Sequence, residues 1–274
     1  KNKFVFETWL WLKRSESKVM AGVYNIPINV SIRQLANILV IGPEDSQASL
    51  TLLEGWTRQM MADYFDKKNL SGQDFMTQSA RKQNWQEDFD FLTDAPSNVS
   101  LEGYIFPDTY YIDNYTTVDD VIIKALNNFD RKLTDDLREE ISRQGKTIFE
   151  VVNLASIIER EVPQFEDKKM IADVFLKRLE ASIGLQSDAT INYITGKGLL
   201  QPTLEDLEID SPYNTYKYRG LPPGPIANPG IDSIKAVVYP TSNDYYYFLT
   251  TPEGEVIYSI NYEEHLDNKY KYLD

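Results

Sequence analysis

The segment from Ser211 to Gly230, SPYNTYKYRGLPPGPIANPG, limits the fold more than any other, with five prolines and three glycines in 20 residues. Proline fixes φ and removes a backbone donor, so this stretch is neither helix nor central strand. A long, rigid, ordered loop inside a compact domain is usually a functional one.

A second stretch, Thr147 to Pro163 (TIFEVVNLASIIEREVP), has the opposite character. Thr147 suits a helix N-cap and Pro163 prevents the helix from continuing. At about 100° per residue, Ile148, Val152, Ala155 and Val162 share one face, flanked by Val151 and Ile158. Glu159 falls inside that apolar stripe, whereas Glu150, Asn153, Arg160 and Glu161 project to the far side. A core-facing carboxylate has two readings. It is paired with a Lys or Arg from elsewhere or reaches solvent at the edge; or it sits in a partly apolar cleft, where a raised pKa keeps it protonated as a general acid requires.

Composition narrows the chemistry. The balance of 28 basic and 42 acidic residues gives a net charge of −14, with no Lys/Arg run long enough to track phosphates, so nucleic acid is not an expected partner. Cysteine is absent and His265 is the only histidine, which removes thiolate and multi-histidine metal sites. No GxGxxG, GxxxxGK[ST] or HExxH motif is present, so no cofactor or metal is expected. What remains is an acid on an apolar face, together with Tyr, Asn, Gln, Thr and Asp on Gly/Pro-rich loops. That set suits sugars, whose ring faces stack on planar groups and whose glycosidic bonds break with a protonated carboxyl beside the leaving oxygen.

In chain order, Phe4–Leu12 and Ala21–Ile28 read as strands and Ser31 caps a helix that Gly42 and Pro43 break. Ser49–Leu53 reads as a strand, Thr57 opens an amphipathic helix and Ser71–Gln83 a further one. The polar run Asn84–Ser100 suits a boundary. Leu101–Tyr111 (LEGYIFPDTYY), without a clean period, reads as a structured surface loop. Thr117 and Thr134 cap two helices, the second ended by Gly145, and Glu166–Ser182 reads as another, with Ile171, Val174, Phe175 and Leu179 inward. Ile183–Gly196 is polar and loop-like. Ile231–Val238 is a short helix ended by Pro240, Tyr245–Thr250 and Glu255–Ile260 make a hairpin, and Asn261 caps a terminal helix. The fold class is α+β: a small module, then a larger mixed α/β domain with long Pro/Gly-rich loops.

LEGYIFPDTY, ASIIEREV, GLQSDATINY and above all SPYNTYKYRGLPPGPIANPGIDSIKA resemble the endolytic murein transglycosylase, or YceG-like (MltG), family. AGVYNIPINVSIRQLANIL and LTLLEGW resemble that family's LysM-like domain. The resemblance implies residues 1–95 as an N-terminal region holding a LysM-like module at about 20–83, and 96–274 as the catalytic domain. It implies a bacterial protein anchored by one N-terminal membrane helix, the chain from Lys1 being an excised portion with its catalytic domain outside the membrane. Its expected partners are peptidoglycan glycan strands and cell-wall synthesis proteins, and its expected reaction is internal cleavage between N-acetylmuramic acid and N-acetylglucosamine with 1,6-anhydro ends. The first Glu of the ASIxE motif, here Glu159, is implied as the acid and then the base. By their place in the blocks, Gln186, Asp188, Tyr213, Asn214, Tyr216, Asn228 and Glu102 are candidates for the glycan cleft, or else brace its loops. If water reached C1 instead, the site would be a muramidase, with Asp188 or Glu102 orienting the water. A protein that kept the fold without the activity would be a peptidoglycan-binding scaffold. One departure stands out: the hairpin run GEVIYS has Val256 where the family often has His, and His265 reads as structural.

Overall fold

The computed structural model describes residues 30–41, 48–112, 116–199 and 201–273, with isolated positions before residue 30. By contacts the chain divides into two compact units, Lys1–Ser49 with Tyr111–Thr116, and Leu50–Tyr110 with Thr117–Asp274. In the smaller unit, helix α1 (Ile32–Ile41) starts at Ser31. The Ser31 amide and hydroxyl donate to Gln34 Oε1 at 2.9 and 2.7 Å, and the Gln34 amide donates back to Ser31 Oγ at 3.3 Å, a reciprocal cap. The strands expected at Phe4–Leu12 and Ala21–Ile28 lie outside the described residues, isolated positions aside.

The larger unit is mixed helix and strand, an α+β fold. It runs from the end of β1 (Ala48–Thr51) through α2 (Arg58–Asp66), α3 (Gly72–Gln78) and the start of β2 (Thr109–Ile112). Then come α4 (Val118–Lys132), α5 (Asp135–Arg143), α6 (Ile148–Ile158), α7 (Phe165–Glu180), α8 (Asp188–Thr195) and α9 (Leu204–Leu207). The chain closes with α10 (Ile231–Val238), the hairpin β3 (Tyr247–Thr250) and β4 (Val256–Ser259), and α11 (Tyr262–Tyr272). The hairpin is antiparallel, with Tyr247 opposite Ser259 and Thr250 opposite Val256. Thr57, Thr117 and Thr147 cap their helices as expected, each hydroxyl accepting a backbone N–H three residues on. Thr134 occupies an N-cap position without a side-chain cap bond. The helix expected over Ser71–Gln83 is shorter, ending at Gln78 before a 3₁₀ turn at Lys82–Asn84.

Helix α6 is the centre of this unit. It packs against α5, α7 and α10, and every residue from Val151 to Ile158 is buried. Beyond its first turn, where Glu150 is exposed, the helix has no solvent face, which corrects the expectation that Asn153 faces away. Asn153 and Ser156, both 0 % exposed, instead serve the Pro/Gly loop. Asn153 Nδ2 donates to the Pro222 carbonyl at 2.7 Å, and Ser156 Oγ accepts from the Ile226 amide at 2.9 Å. Residues 211–230 form neither helix nor strand, as expected, so their buried backbone groups have no ladder to join. Two polar side chains on a buried helix supply partners that such groups require.

Leu101–Pro107 is also buried, not a surface loop. Its aromatic residues enter the core: Tyr104 lies 6.0 Å from Phe91 and 5.5 Å from Phe129 between ring centres. A turned segment that buries both sides has no period to show, and this hid it from pattern reading. At its start Gly103 adopts φ +90, and a Cβ there would come within 2.6 Å of Pro225 and 2.9 Å of Val152. A backbone this close to a proline ring and a core valine leaves no slack. Ile183–Gly196 was expected as loop, yet Asp188–Thr195 is helical, ended by Gly196 at φ 66.

Gly103→Ala adds both left-handed strain and overpacking, so we expect a loss of about 3 kcal/mol in urea denaturation, with Gly145→Ala, whose Cβ meets nothing within 4 Å, costing about 1 kcal/mol.

Candidate active site

Glu159 follows the last residue of α6 as its C-cap, with its side chain 6 % exposed. Three donors from two other elements converge on the carboxylate. Lys168 Nζ lies 2.8 Å from Oε1, and Oε2 accepts from the Gly230 amide at 2.8 Å and from Ser233 Oγ at 2.7 Å. The sequence periodicity explains each donor. Lys168 stands at the head of the buried α7 stripe Ile171, Ala172 and Phe175, so helical geometry carries its ammonium inward, to 3 % exposure. Ser233 shares the inward face of α10 with Ala236 and Val237, and Gly230 is the N-cap of that helix. The carboxylate thus sits at a helix N-terminus, where unpaired amides favour an anion. Of the two readings left open by the sequence, the paired one describes this geometry: the surroundings of Glu159 are an ammonium, an amide and a hydroxyl.

A second carboxylate stands beside it. Glu54, in the turn after β1, fills the space in front of Gly230: an ideal Cβ on that glycine would fall 1.8 Å from Glu54 Oε1 and 2.3 Å from its Cδ. The turn is clamped on both sides, the Gly55 amide donating to the Asn228 carbonyl at 2.9 Å and Arg160 Nη1 donating to the Gly55 carbonyl at 3.1 Å. Burial and then the charge of Glu159 push the Glu54 pKa up, against the opposing pull of Lys168. Sequence reading missed Lys168, Ser233 and Glu54. The first two carried a signal, a cation and a hydroxyl on apolar helical stripes; Glu54 stands in the LTLLEGW block, which sequence reading assigned to the LysM-like module and not to this site.

Glu102 and Asn228 form one buried cluster behind this turn. Asn228, 0 % exposed, accepts from the Gly103 and Ile105 amides at 3.0 Å each, and its Nδ2 donates to the Trp56 carbonyl at 2.9 Å and to Glu102 Oε1 at 2.8 Å. Glu102 also accepts from the Arg58 amide at 2.9 Å, and burial raises its pKa to about 7. Asn214 is likewise fully buried, its Nδ2 donating to the Leu207 and Ile209 carbonyls at 2.9 Å each and its Oδ1 accepting from the Tyr216 amide at 3.0 Å. These three side chains brace the loops.

Gln186, Asp188, Tyr213 and Tyr216 keep exposed edges. Gln186 is exposed and holds φ 51, a left-handed conformation uncommon for a residue other than glycine. The Tyr216 hydroxyl donates to Asp188 Oδ1 at 2.5 Å, and Tyr213 lies 5.2 Å from Tyr193 between ring centres. Glu161, expected to project away, instead accepts from Ser187 Oγ. The wheel fails there because α6 has already ended at Ile158. Burial and the charge of Asp188 raise the Glu161 pKa to about 7. Val256 begins β4, and His265 stacks on Tyr247 at 5.3 Å between ring centres.

The sequence profile of the YceG-like family matches residues 1–271. The chain belongs to the YceG-like family. Two curated relatives carry the name endolytic murein transglycosylase. That of Bacillus subtilis is 40% identical over 63% of this chain and 48% of its own length; that of Streptococcus pneumoniae strain D39 is 32% identical over 92% of this chain and 50% of its own. The chain therefore spans about half the length of the curated relatives it matches. The crystal structure of a YceG-like protein from Listeria monocytogenes superposes with a TM-score of 0.74 at 31% identity, covering 98% of this chain and 91% of that one. Among the described residues of this YceG-like chain, no helix is long and apolar enough to cross a membrane.

Because the Glu102 pKa is raised in the folded state, its stabilising contribution is complete below pH 4.5 and is lost as pH rises through 7. Urea midpoints measured across that range should show Glu102→Gln removing a decline on the order of 3 kcal/mol at most; parallel profiles for both proteins would refute this.

Proposed function

We propose that this chain cuts peptidoglycan glycan strands internally, between N-acetylmuramic acid and N-acetylglucosamine, leaving 1,6-anhydro-muramyl ends. The observation that carries this reading is the convergence on one carboxylate: Glu159 of ASIIEREV is held by Gly230 and Ser233 of the long block that most resembles the family. The relatives' shared name, endolytic murein transglycosylase, supports the same substrate.

In this reading Glu159 is the reaction centre. As the C1–O bond lengthens and an oxocarbenium-like centre develops, the Glu159 carboxyl, as the single acid of this scheme, gives its proton to the leaving oxygen, and the resulting carboxylate takes the proton from the muramic C6 hydroxyl. That hydroxyl attacks C1 and closes the ring, so no water nucleophile is consumed. The two residues expected to orient water in the muramidase alternative are engaged elsewhere: Glu102 is buried against Arg58 and Asn228, and Asp188 accepts from Tyr216. The partly exposed Gln186, Asp188, Tyr213 and Tyr216 line the glycan path.

The reading extends to the whole protein as the family resemblance does. A LysM-like module at about 20–83 holds glycan, with the boundary near residue 95 drawn from motif blocks, whereas the contact division follows packing. An N-terminal membrane anchor places the catalytic domain on the extracytoplasmic side, among cell-wall synthesis proteins, and no cofactor is called for.

The test is digestion of purified sacculi followed by mass analysis of the muropeptides. Wild type releases anhydro-muramyl ends, and Glu159→Gln reduces their rate by at least about 100-fold. The charge-balanced variant Glu159→Gln with Lys168→Met is the folded, equally inactive control. Equal release by wild type and Glu159→Gln would sink the reading.

A further inference from the structure

The Glu159 carboxylate presents a problem for a one-carboxyl scheme. Both of its oxygens already accept hydrogen bonds, and its side chain is 6 % exposed. It is arranged as an acceptor, the role of a base, and a donor for the leaving oxygen must come from somewhere else.

Glu54 answers that need. One peptide unit touches both groups: the Gly230 amide donates to Glu159, and the space where its Cβ would stand holds the Glu54 carboxylate. Glu54 is exposed, and among the described residues it makes no hydrogen bond or ion pair with another side chain. Its position is nevertheless fixed, because Asn228 and Arg160 clamp the following residue, Gly55, from opposite sides. The ionisable groups that act on it are Glu159, Lys168 and Asp232, with the Arg160 guanidinium on the adjoining turn. Of these Lys168 is committed to Glu159 at 2.8 Å. Two neighbouring carboxyls, one ion-paired and one not, have environments that separate their roles: the paired one is set to accept a proton and the unpaired one to give it.

We propose that Glu54 is a further catalytic residue, the general acid of glycan cleavage, with Glu159 as the base. The inference rests on the glycan-cleaving function proposed above and divides its acid and base work between two residues. The Glu54 O–H bond breaks as its proton passes to the glycosidic oxygen, and the C1–O bonding pair leaves with that oxygen. The muramic O6–C1 bond forms while the O6 proton passes to Glu159. The turnover leaves Glu54 ionised and Glu159 protonated; return of one proton from Glu159 to Glu54 restores the starting state, with no net gain or loss. Gly230 is then required for space, since any side chain there would displace the acid.

The experiment measures cleavage of purified sacculi against pH for wild type, Glu54→Gln, Glu54→Asp and Gly230→Ala. A general acid must be protonated, so the wild-type rate falls as pH rises through the raised Glu54 pKa. Glu54→Gln loses at least about 100-fold in kcat with KM changed by less than about threefold, and its residual rate lacks that alkaline fall. Glu54→Asp keeps the fall at reduced rate. A purely structural Glu54 would lower the rate without changing the profile's shape. Gly230→Ala has an ordinary φ and meets only the far end of the Glu54 side chain, so it keeps the fold while moving the acid. It should match Glu54→Gln in rate and add no loss to Glu54→Ala. Wild-type rate and pH profile in Glu54→Gln, alongside an inactive Glu159→Gln, would overturn this proposal and leave the one-carboxyl reading standing. Full activity in both variants would overturn the underlying function.

Discussion

The larger unit depends on the buried ion pair between Lys168 and Glu159, whose side chains are 3 % and 6 % exposed. Neither charge could stay buried alone: moving one such ion out of water costs several kcal/mol unless a partner and hydrogen bonds compensate. Glu159 meets that condition only because three chain segments arrive at one place, the end of α6, the inward face of α7 and the N-terminus of α10. Each segment is brought there by ordinary apolar packing. The pair therefore adds little net stability of its own, and its effect is to make one arrangement of those helices far better than its neighbours.

The Pro/Gly loop depends on the same helices in a different way. A chain of this composition cannot join a sheet or a helix, yet Gly224 to Gly230 is buried. Its backbone groups are satisfied one at a time, by Asn153 and Ser156 of α6, by the Trp56 carbonyl, which accepts from the Asn228 amide, and by the Gly55 amide, which donates to the Asn228 carbonyl. The loop in turn delivers Gly230 to Glu159. Packing of α6, satisfaction of the loop and assembly of the site are thus three consequences of one arrangement.

Much of this was legible in the residues, and the failures share a cause. Regular elements were readable because period and caps are local: the limits of α10, the hairpin β3–β4 and the caps at Ser31, Thr57 and Thr147 follow from a few adjacent residues. The isolation of Glu159 on an apolar face was readable for the same reason. Its partner was not, since a wheel drawn for one helix says nothing about the lysine of the next. Leu101–Pro107 was misplaced on the surface because burial on all sides erases periodicity, and Glu161 because the helix ended three residues too early for the wheel. Glu102, Asn214 and Asn228 show that a motif position tells which residue matters but not whether it faces ligand or loop. Glu54 was visible only as part of the LTLLEGW block of the LysM-like module; its place at the site lies in a contact with a glycine 176 positions away.

The claim that one ion pair organises this unit is tested most directly by a double-mutant cycle on stability with Lys168→Met and Glu159→Gln, read from urea denaturation. Each single change leaves the other charged or polar group buried without its partner and should cost about 3–5 kcal/mol. The double variant restores charge balance and should be more stable than the sum of the singles implies by at least about 1 kcal/mol. Losses that add to within about 0.5 kcal/mol would contradict the account, because they would mean that the two side chains contribute independently.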